Sequence, residues 1–223
     1  MGLYQDFLSN GEKPTFKWLH YFPIYENHLN RFINRSVKIL EIGVLDGGSL
    51  AMWRNFFGPH AEVIGIDLNP DCKKHESFQI RVEIGSQSDT DFLAEVFQKY
   101  GPFDVVIDDG SHKQADVLAT LNFLIDKMPR NSVYIIEDSH TANIENYRNS
   151  ERDLFEYLFP LVRELSAGYG VQNPSEFSPV LSSVSFYDSM IVIEFKDQSI
   201  RRAVQFESSS ERRITRSLSP GEI

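Results

Sequence analysis

The chain has 223 residues, with 22 basic and 32 acidic side chains and a formal net charge of −10. That length is enough for one large α/β domain, and the acidic balance argues against nucleic acid and an anionic membrane surface as partners. A single cysteine, Cys72, excludes an internal disulfide framework and a cysteine-based zinc site. The sequence shows no signal peptide and no apolar run of membrane-spanning length, so we expect a cytoplasmic protein.

The predicted elements alternate between strands and helices from residue 37 onwards. Before them, residues 1–35 form an aromatic-rich extension with a predicted helix from Pro23 to Phe32, which we expect to cap the main domain. β-branched runs bounded by turn residues predict buried strands, and apolar residues at helical spacing predict the helices between them. The predicted strands cover residues 37–43, 63–67, 79–84, 103–107 and 133–136, and the predicted helices follow residues 47–49, 88–91, 112 and 150.

The end of the chain distinguishes between versions of this fold. Residues 185–195 predict a hairpin that turns at Asp188 and Ser189, and the Ser- and Arg-rich residues 207–223 predict a flexible tail. Alternating strands and helices imply a doubly wound, mostly parallel sheet. A terminal hairpin is unusual for a dinucleotide domain and fits the Rossmann-like, seven-stranded sheet of class I S-adenosylmethionine-dependent methyltransferases. We therefore place a methyltransferase domain at residues 36–206.

Two acidic clusters each follow directly after a predicted strand. Residues 108–112 read Asp-Asp-Gly-Ser-His, and residues 137–141 read Glu-Asp-Ser-His-Thr. Ligands of parallel sheets bind beyond the carboxyl ends of the strands, so we expect these side chains at one rim. Clustered carboxylates repel one another unless a cation neutralises them, and hard divalent cations take oxygen ligands. The clusters predict metal-assisted chemistry with a histidine beside the metal, and the lack of cysteine in either cluster favours magnesium, manganese or calcium over zinc.

A glycine-rich turn over residues 41–49 joins the first strand to its helix. Its spacing departs from the phosphate-binding G-x-G-x-x-G pattern. Glu41 would repel a pyrophosphate but suits a ligand with an amino group. Asp67, at the end of the second strand, lies where an acid takes ribose hydroxyls in related sheets. Together these features favour S-adenosylmethionine over NAD.

Several motifs resemble those of the metal-dependent sugar O-methyltransferases of antibiotic biosynthesis. They are Glu-Ile-Gly…Gly-Gly-Ser-Leu…Trp, Gly-Ile-Asp, Gly-Ser-Gln, Phe-Asp-Val-Val-Ile-Asp-Asp-Gly-Ser-His and Ile-Glu-Asp-x-x-Thr, all within residues 37–145. The resemblance is to the mycinamicin type, which methylates macrolide-bound deoxysugars and is related to rhamnosyl O-methyltransferases and to proteins called cephalosporin hydroxylases. A His-x-Tyr element of that family resembles the segment at residues 17–21, Lys-Trp-Leu-His-Tyr, which contains His20 and Tyr21.

This resemblance implies a cofactor, a metal and a site. It implies S-adenosyl-L-methionine with Mg²⁺ or Mn²⁺, and methylation of a hydroxyl of a sugar or glycosylated small molecule, either a natural product or a surface glycan. The implied metal ligands are Asp109, Glu137 and Asp138, and the implied general base is His112. The implied cofactor contacts are Glu41, Gly43, Ser49, Asp67, Gly85, Ser86, Gln87 and Asp108.

Other functions remain open at this point. A catechol-type O-methyltransferase uses the same logic on an aromatic diol, and a non-catalytic S-adenosylmethionine-binding partner protein would be signalled by a broken metal trio, which here is intact. A hydroxylase lacks support, because the sequence contains no His-x-Asp…His iron triad. The sequence leaves open the acceptor, the metal and the oligomeric state, including a homo-oligomer. It also leaves open whether certain residues line the site or simply pack, namely His20, His140, Phe16, Trp18, Tyr21, Phe22, Tyr25, Tyr147, Tyr169 and Phe177.

Overall fold

A computed structural model describes residues 2–9, 13–166, 180–196, 203–206 and 214–218 of the chain. Seven strands of this part form one sheet in the order β3-β2-β1-β4-β5-β7-β6. All neighbouring strands are parallel except β7, which runs antiparallel to both β5 and β6. The strands are β1 (Val37–Ile42), β2 (Ala61–Asp67), β3 (Ile80–Ile84), β4 (Val105–Asp108), β5 (Ser132–Ile136), β6 (Leu181–Tyr187) and β7 (Met190–Phe195).

Helices cover both faces of the sheet. The first three pack on one face and the last three on the other. On the second face, Asp89 and Asp153 accept backbone N–H bonds at the first turns of their helices, which satisfies donors that a helix start leaves free. The helices are α1 (Leu3–Ser9), α2 (Tyr21–Leu29), α3 (Gly48–Phe57), α4 (Thr90–Tyr100), α5 (Gln114–Leu124) and α6 (Leu154–Glu164).

Alternation along the central strands divides the core into two layers. In β1, Val37 and Ile39 pack against the layer of α1 to α3, whereas Leu40 and Ile42 pack against the layer of α4 to α6. Successive side chains of a strand point to opposite faces, so a strand that is buried on both faces is apolar almost throughout. Two charged residues interrupt this pattern in β1, namely Lys38, which is partly exposed, and Glu41, whose side chain is completely buried.

Strand register brings the functional segments together. Ile42 of β1 pairs with Asp108 of β4, and Asp108 pairs with Ile136 of β5. Because these strands are parallel, the residues that follow leave the sheet at one edge and at one level. These residues are Gly43, Asp109 and Glu137.

The architecture confirms the predicted doubly wound, seven-stranded sheet with its late antiparallel strand. The predicted helix begins at Tyr21 rather than at Pro23, because proline is tolerated in the first helical turn, where its missing N–H is not needed. Helix α1 was not predicted, nor was a second hairpin formed by β8 (Ala203–Phe206) and β9 (Ile214–Leu218), whose second strand lies in the predicted tail. Among the described residues, no helix has the length and apolarity needed to cross a membrane.

Candidate active site

One cavity opens where β1, β2, β4 and β5 end, and it has a volume of about 420 Å³. That volume is typical of a small-molecule site. The irregular segment at residues 14–18 and the turns after the strands together line it. Ten of the twelve predicted site residues lie in this lining, namely Gly43, Ser49, Asp67, Gly85, Ser86, Gln87, Asp109, His112, Glu137 and Asp138.

The glycine turn after β1 brings the backbone of Gly43 against the first acidic cluster, residues 108–112. Gly43 has φ +93°, and a Cβ atom there would lie 2.2 Å from the backbone oxygen of Asp109. Only glycine fits such a conformation and such a close approach. The turn therefore fixes the distance between the two walls of the cavity.

Asp67 holds this turn in place. Its Oδ2 accepts the backbone N–H groups of Val44 at 2.8 Å and of Leu45 at 3.1 Å, and its Oδ1 accepts the N–H of Asn69. Partial burial opposes ionisation, but these backbone donors outweigh it and lower the pKa of Asp67. Asp67 is therefore a fixed anion at the cavity wall, where the sequence predicted the contact with ribose.

A second group of side chains forms a cup that suits a cation. Oxygen atoms of Asp109 and Asp138 and a ring nitrogen of His112 all lie within 4.8 Å of one another. His112 Nε2 is 3.8 Å from Asp109 Oδ1 and 3.6 Å from Asp138 Oδ2. Carboxylate oxygens in this arrangement are suitable ligands for Mg²⁺ or Mn²⁺. The structure thus brings the predicted base and two of the three predicted metal ligands together.

The third predicted ligand, Glu137, is paired with a lysine that the sequence did not assign to the site. Lys17 Nζ donates to Glu137 Oε1 at 2.8 Å, to Glu137 Oε2 at 2.9 Å and to Asp109 Oδ2 at 2.6 Å. Its side chain is only 2% exposed. Burial alone would lower the pKa of Lys17, but the carboxylates of Asp109, Glu137 and Glu41 raise it, so the ammonium stays charged.

The two carboxylate oxygens of Asp109 therefore have different neighbours. Oδ2 binds Lys17, while Oδ1 points toward the cup with His112 and Asp138. Burial and the nearby Asp109 raise the pKa of Glu137, although the Lys17 ammonium opposes this shift. The acidic site thus contains its own positive charge, which neutralises part of the carboxylate cluster.

Two predicted cofactor contacts, Glu41 and Asp108, lie behind the cavity wall and do not line it. Glu41 accepts Ser49 Oγ and Trp53 Nε1, each at 2.9 Å. Asp108 accepts Gln87 Nε2 at 3.1 Å. Burial raises the pKa of each carboxyl to about 7. Both support residues that do line the cavity, and their direct contact with a cofactor stays a prediction.

Aromatic and histidine residues complete the rim. Tyr21 donates to Asp138 Oδ1 at 2.7 Å and also accepts the backbone N–H of Asp138, which has φ +50°. Ser189 contacts Tyr21 and the ring of His140, and His20 Nε2 lies 3.2 Å from the backbone oxygen of Asp188. These contacts fix Asp138 and the turn between β6 and β7.

The aromatic residues with open roles separate into two groups. Phe16 and Trp18 are exposed and line the cavity, whereas Tyr21, Phe22 and Tyr25 are buried, and of these three Tyr21 also lines the cavity. The ring centroid of Tyr147 lies 6.5 Å from that of His112. Tyr169 and Phe177 lie outside the described residues.

The sheet topology and the cavity at its edge define a methyltransferase domain of the Rossmann-like class. Residues 40–139 match the family model described as a methyltransferase domain.

Curated proteins similar to this chain are sugar O-methyltransferases of antibiotic pathways. The chain is 41% identical over 137 residues to mycinamicin VI 2''-O-methyltransferase of Micromonospora griseorubida, covering 58% of this chain and 34% of that protein. It is 40% identical over 139 residues to demethylmacrocin O-methyltransferase of Streptomyces fradiae, covering 57% and 34% respectively. The chain thus spans about a third of the length of these relatives.

Solved structures agree with this assignment. The methyltransferase MycE of the mycinamycin biosynthetic pathway, in complex with Mg, SAH and mycinamycin VI, superposes with a TM-score of 0.78 at 28% identity. The match covers 89% of this chain and 54% of that chain. The Podospora anserina methyltransferase PaMTH1 matches at a TM-score of 0.52 and 15% identity, which shows the shared fold alone.

Proposed function

We propose that this chain is an S-adenosylmethionine-dependent, divalent-cation-assisted O-methyltransferase that acts on a hydroxyl of a sugar or glycosylated small molecule. The observation that carries the proposal is a single cavity lined by both the glycine turn with Asp67 and the cup of Asp109, His112 and Asp138. Methyl transfer requires the methyl donor and the activated hydroxyl to lie next to each other, and this cavity offers a place for both.

The cofactor fits the cavity by shape and by charge. Bare backbone at Gly43 permits close approach of a ligand, and Asp67 offers an anion to ribose hydroxyls. Carboxylates outnumber cations around the cavity, so a ligand with a positive sulfonium is favoured over a pyrophosphate. When bound, S-adenosylmethionine would supply an electrophilic methyl group. The binding of SAH by the similar protein MycE supports this choice.

The cup fits a hard divalent cation. Asp109 Oδ1 and Asp138 Oδ2 would hold Mg²⁺ or Mn²⁺ directly, with Glu137 beside them, and the Mg in the MycE complex supports this choice. When bound, the cation would acidify a hydroxyl held next to it. Tyr21 keeps Asp138 in position through its hydrogen bonds.

His112 is the group that would remove the proton. When neutral, its Nε2 would accept the proton of the acceptor hydroxyl, so that this oxygen could take the methyl group that S-adenosylmethionine would supply on conversion to SAH. Asp109 and Asp138, both within 4 Å of this nitrogen, then stabilise the positive imidazolium. Thr141 Oγ1 contacts the backbone oxygen of His112 at 3.3 Å and helps to hold its turn.

A turnover assay tests the proposal. The protein is incubated with S-adenosylmethionine, Mg²⁺ and a panel of rhamnosides and other glycosides, and SAH and methylated product are quantified by mass spectrometry. We expect equal amounts of SAH and methylated glycoside. Methylation of catechol but of no glycoside would assign the acceptor to the aromatic diols instead.

A further inference from the structure

Two aromatic side chains at the cavity mouth are exposed to solvent. Phe16 is 74% exposed and Trp18 is 45% exposed, although both lie in the cavity lining. Lys17, between them, points inward and is buried. Adjacent side chains of this segment therefore differ in exposure, with both rings at the surface and Lys17 in its ion pairs.

The two rings are held in a defined arrangement. Their centroids are 5.9 Å apart at an interplanar angle of 72°, which is a favourable edge-to-face geometry. Trp18 Nε1 donates to Asp138 Oδ1 at 3.2 Å. The indole is therefore anchored to a carboxylate of the cation cup, and a ligand that reaches the cup passes beside it.

We propose that Phe16 and Trp18 form an acceptor platform, on which the apolar part of a glycoside packs while its sugar hydroxyls reach Asp109, His112 and Asp138. This inference rests on the proposed function and adds two specificity-determining residues, Phe16 and Trp18, which would favour a sugar that carries an apolar aglycone. Exposed aromatic surface that is continuous with a polar site marks a ligand groove. Two rings with few rotatable bonds provide contact area at a low cost in conformational entropy.

Two synthetic glycosides that differ only in the aglycone test the platform by direct binding. Hexyl α-L-rhamnopyranoside and methyl α-L-rhamnopyranoside are titrated into the full chain with SAH and Mg²⁺ present. We expect the hexyl glycoside to bind about tenfold more tightly. Tryptophan fluorescence gives a second readout. The chain has two tryptophans, and because Trp53 is fully buried, a change in emission on binding reports Trp18.

Variants separate the platform from the rest of the site. Phe16→Ala leaves the Asp138 contacts intact and should reduce the preference for the hexyl glycoside. Trp18→Ala should raise the KM for hexyl rhamnoside about tenfold with a smaller effect on kcat, and Trp18→Phe should restore most of the loss. Phe78→Ala is the matched control, because Phe78 is 82% exposed and does not line the cavity.

Several results would overturn the acceptor platform. They are equal affinity for the two glycosides, binding of neither at millimolar concentration, and an unchanged KM in both alanine variants. A change of sedimentation coefficient in Trp18→Ala would instead assign the rings to contact between copies of the chain. If wild-type protein transfers no methyl group and binds no SAH, the proposed function itself fails, and the platform fails with it.

Discussion

Replacing Lys17 by methionine would remove the cation that the structure places against Asp109 and Glu137. The methionine has a similar length and no charge, so the change leaves buried carboxylates without their partner. Removing one member of a buried ion pair costs about 3–5 kcal/mol. For a chain of this size, each kcal/mol lowers Tm by roughly 2–4 °C, so we expect a fall of roughly 6–20 °C in metal-free buffer.

Thermal unfolding in EDTA, followed by circular dichroism, measures this loss. The matched control is Lys13→Met, which removes a half-buried lysine from the same segment and should change stability by no more than about 0.5 kcal/mol. Added Mg²⁺ should raise the Tm of Lys17→Met more than that of wild type, because the cation neutralises the same carboxylates. A variant that melts at the wild-type temperature in EDTA would refute the role assigned to Lys17.

The other predictions concern the base, the cofactor and pH. His112→Asn should lower kcat about 10²–10⁴-fold while SAH binding persists. Asparagine is the substituent because it tolerates the φ of +58° at this position. A near-wild-type kcat would show that His112 is not the base. Asp67→Ala should weaken SAH binding in calorimetry at least about tenfold, because the Val44 and Leu45 N–H groups lose their acceptor; an unchanged dissociation constant would contradict this. Burial raises the pKa of Asp108 from 3.8 to about 7, so this carboxyl's contribution to stability is present below pH 4 and lost as pH rises through 7. In urea unfolding between pH 4 and pH 7, the free energy of unfolding should fall less steeply with rising pH in Asp108→Asn than in wild type. Identical pH dependences would refute the raised pKa assigned to Asp108.

The strands and the sheet edge were predictable because local sequence determines them. The runs at residues 105–107 and 133–136 are apolar because they are buried on both faces. In a parallel sheet the residues that follow such strands must share one edge, so Asp109 could be placed beside Glu137 without a structure. The N-cap at Asp89 is likewise a local signal.

What could not be predicted depends on contacts between distant segments. Lys17 meets its partners Asp109 and Glu137 across 92 and 120 residues of sequence, and no periodic pattern marks an irregular segment. Glu41 is a predicted cofactor contact, and its complete burial next to Trp53 Nε1, which donates to it, depends on tertiary packing. The exposure of Trp18 likewise depends on tertiary packing, which a run of aromatic residues does not reveal.

Titration calorimetry of the EDTA-treated protein, first with SAH and then with Mn²⁺, tests the central claim most directly because it needs no acceptor. The account predicts one site for each ligand in wild type. It also predicts that Asp138→Asn keeps SAH binding and loses most Mn²⁺ affinity, because Asp138 is a proposed direct ligand of the cation. Binding of NAD in place of SAH, or Mn²⁺ binding that is absent in wild type or unaltered in Asp138→Asn, would contradict it.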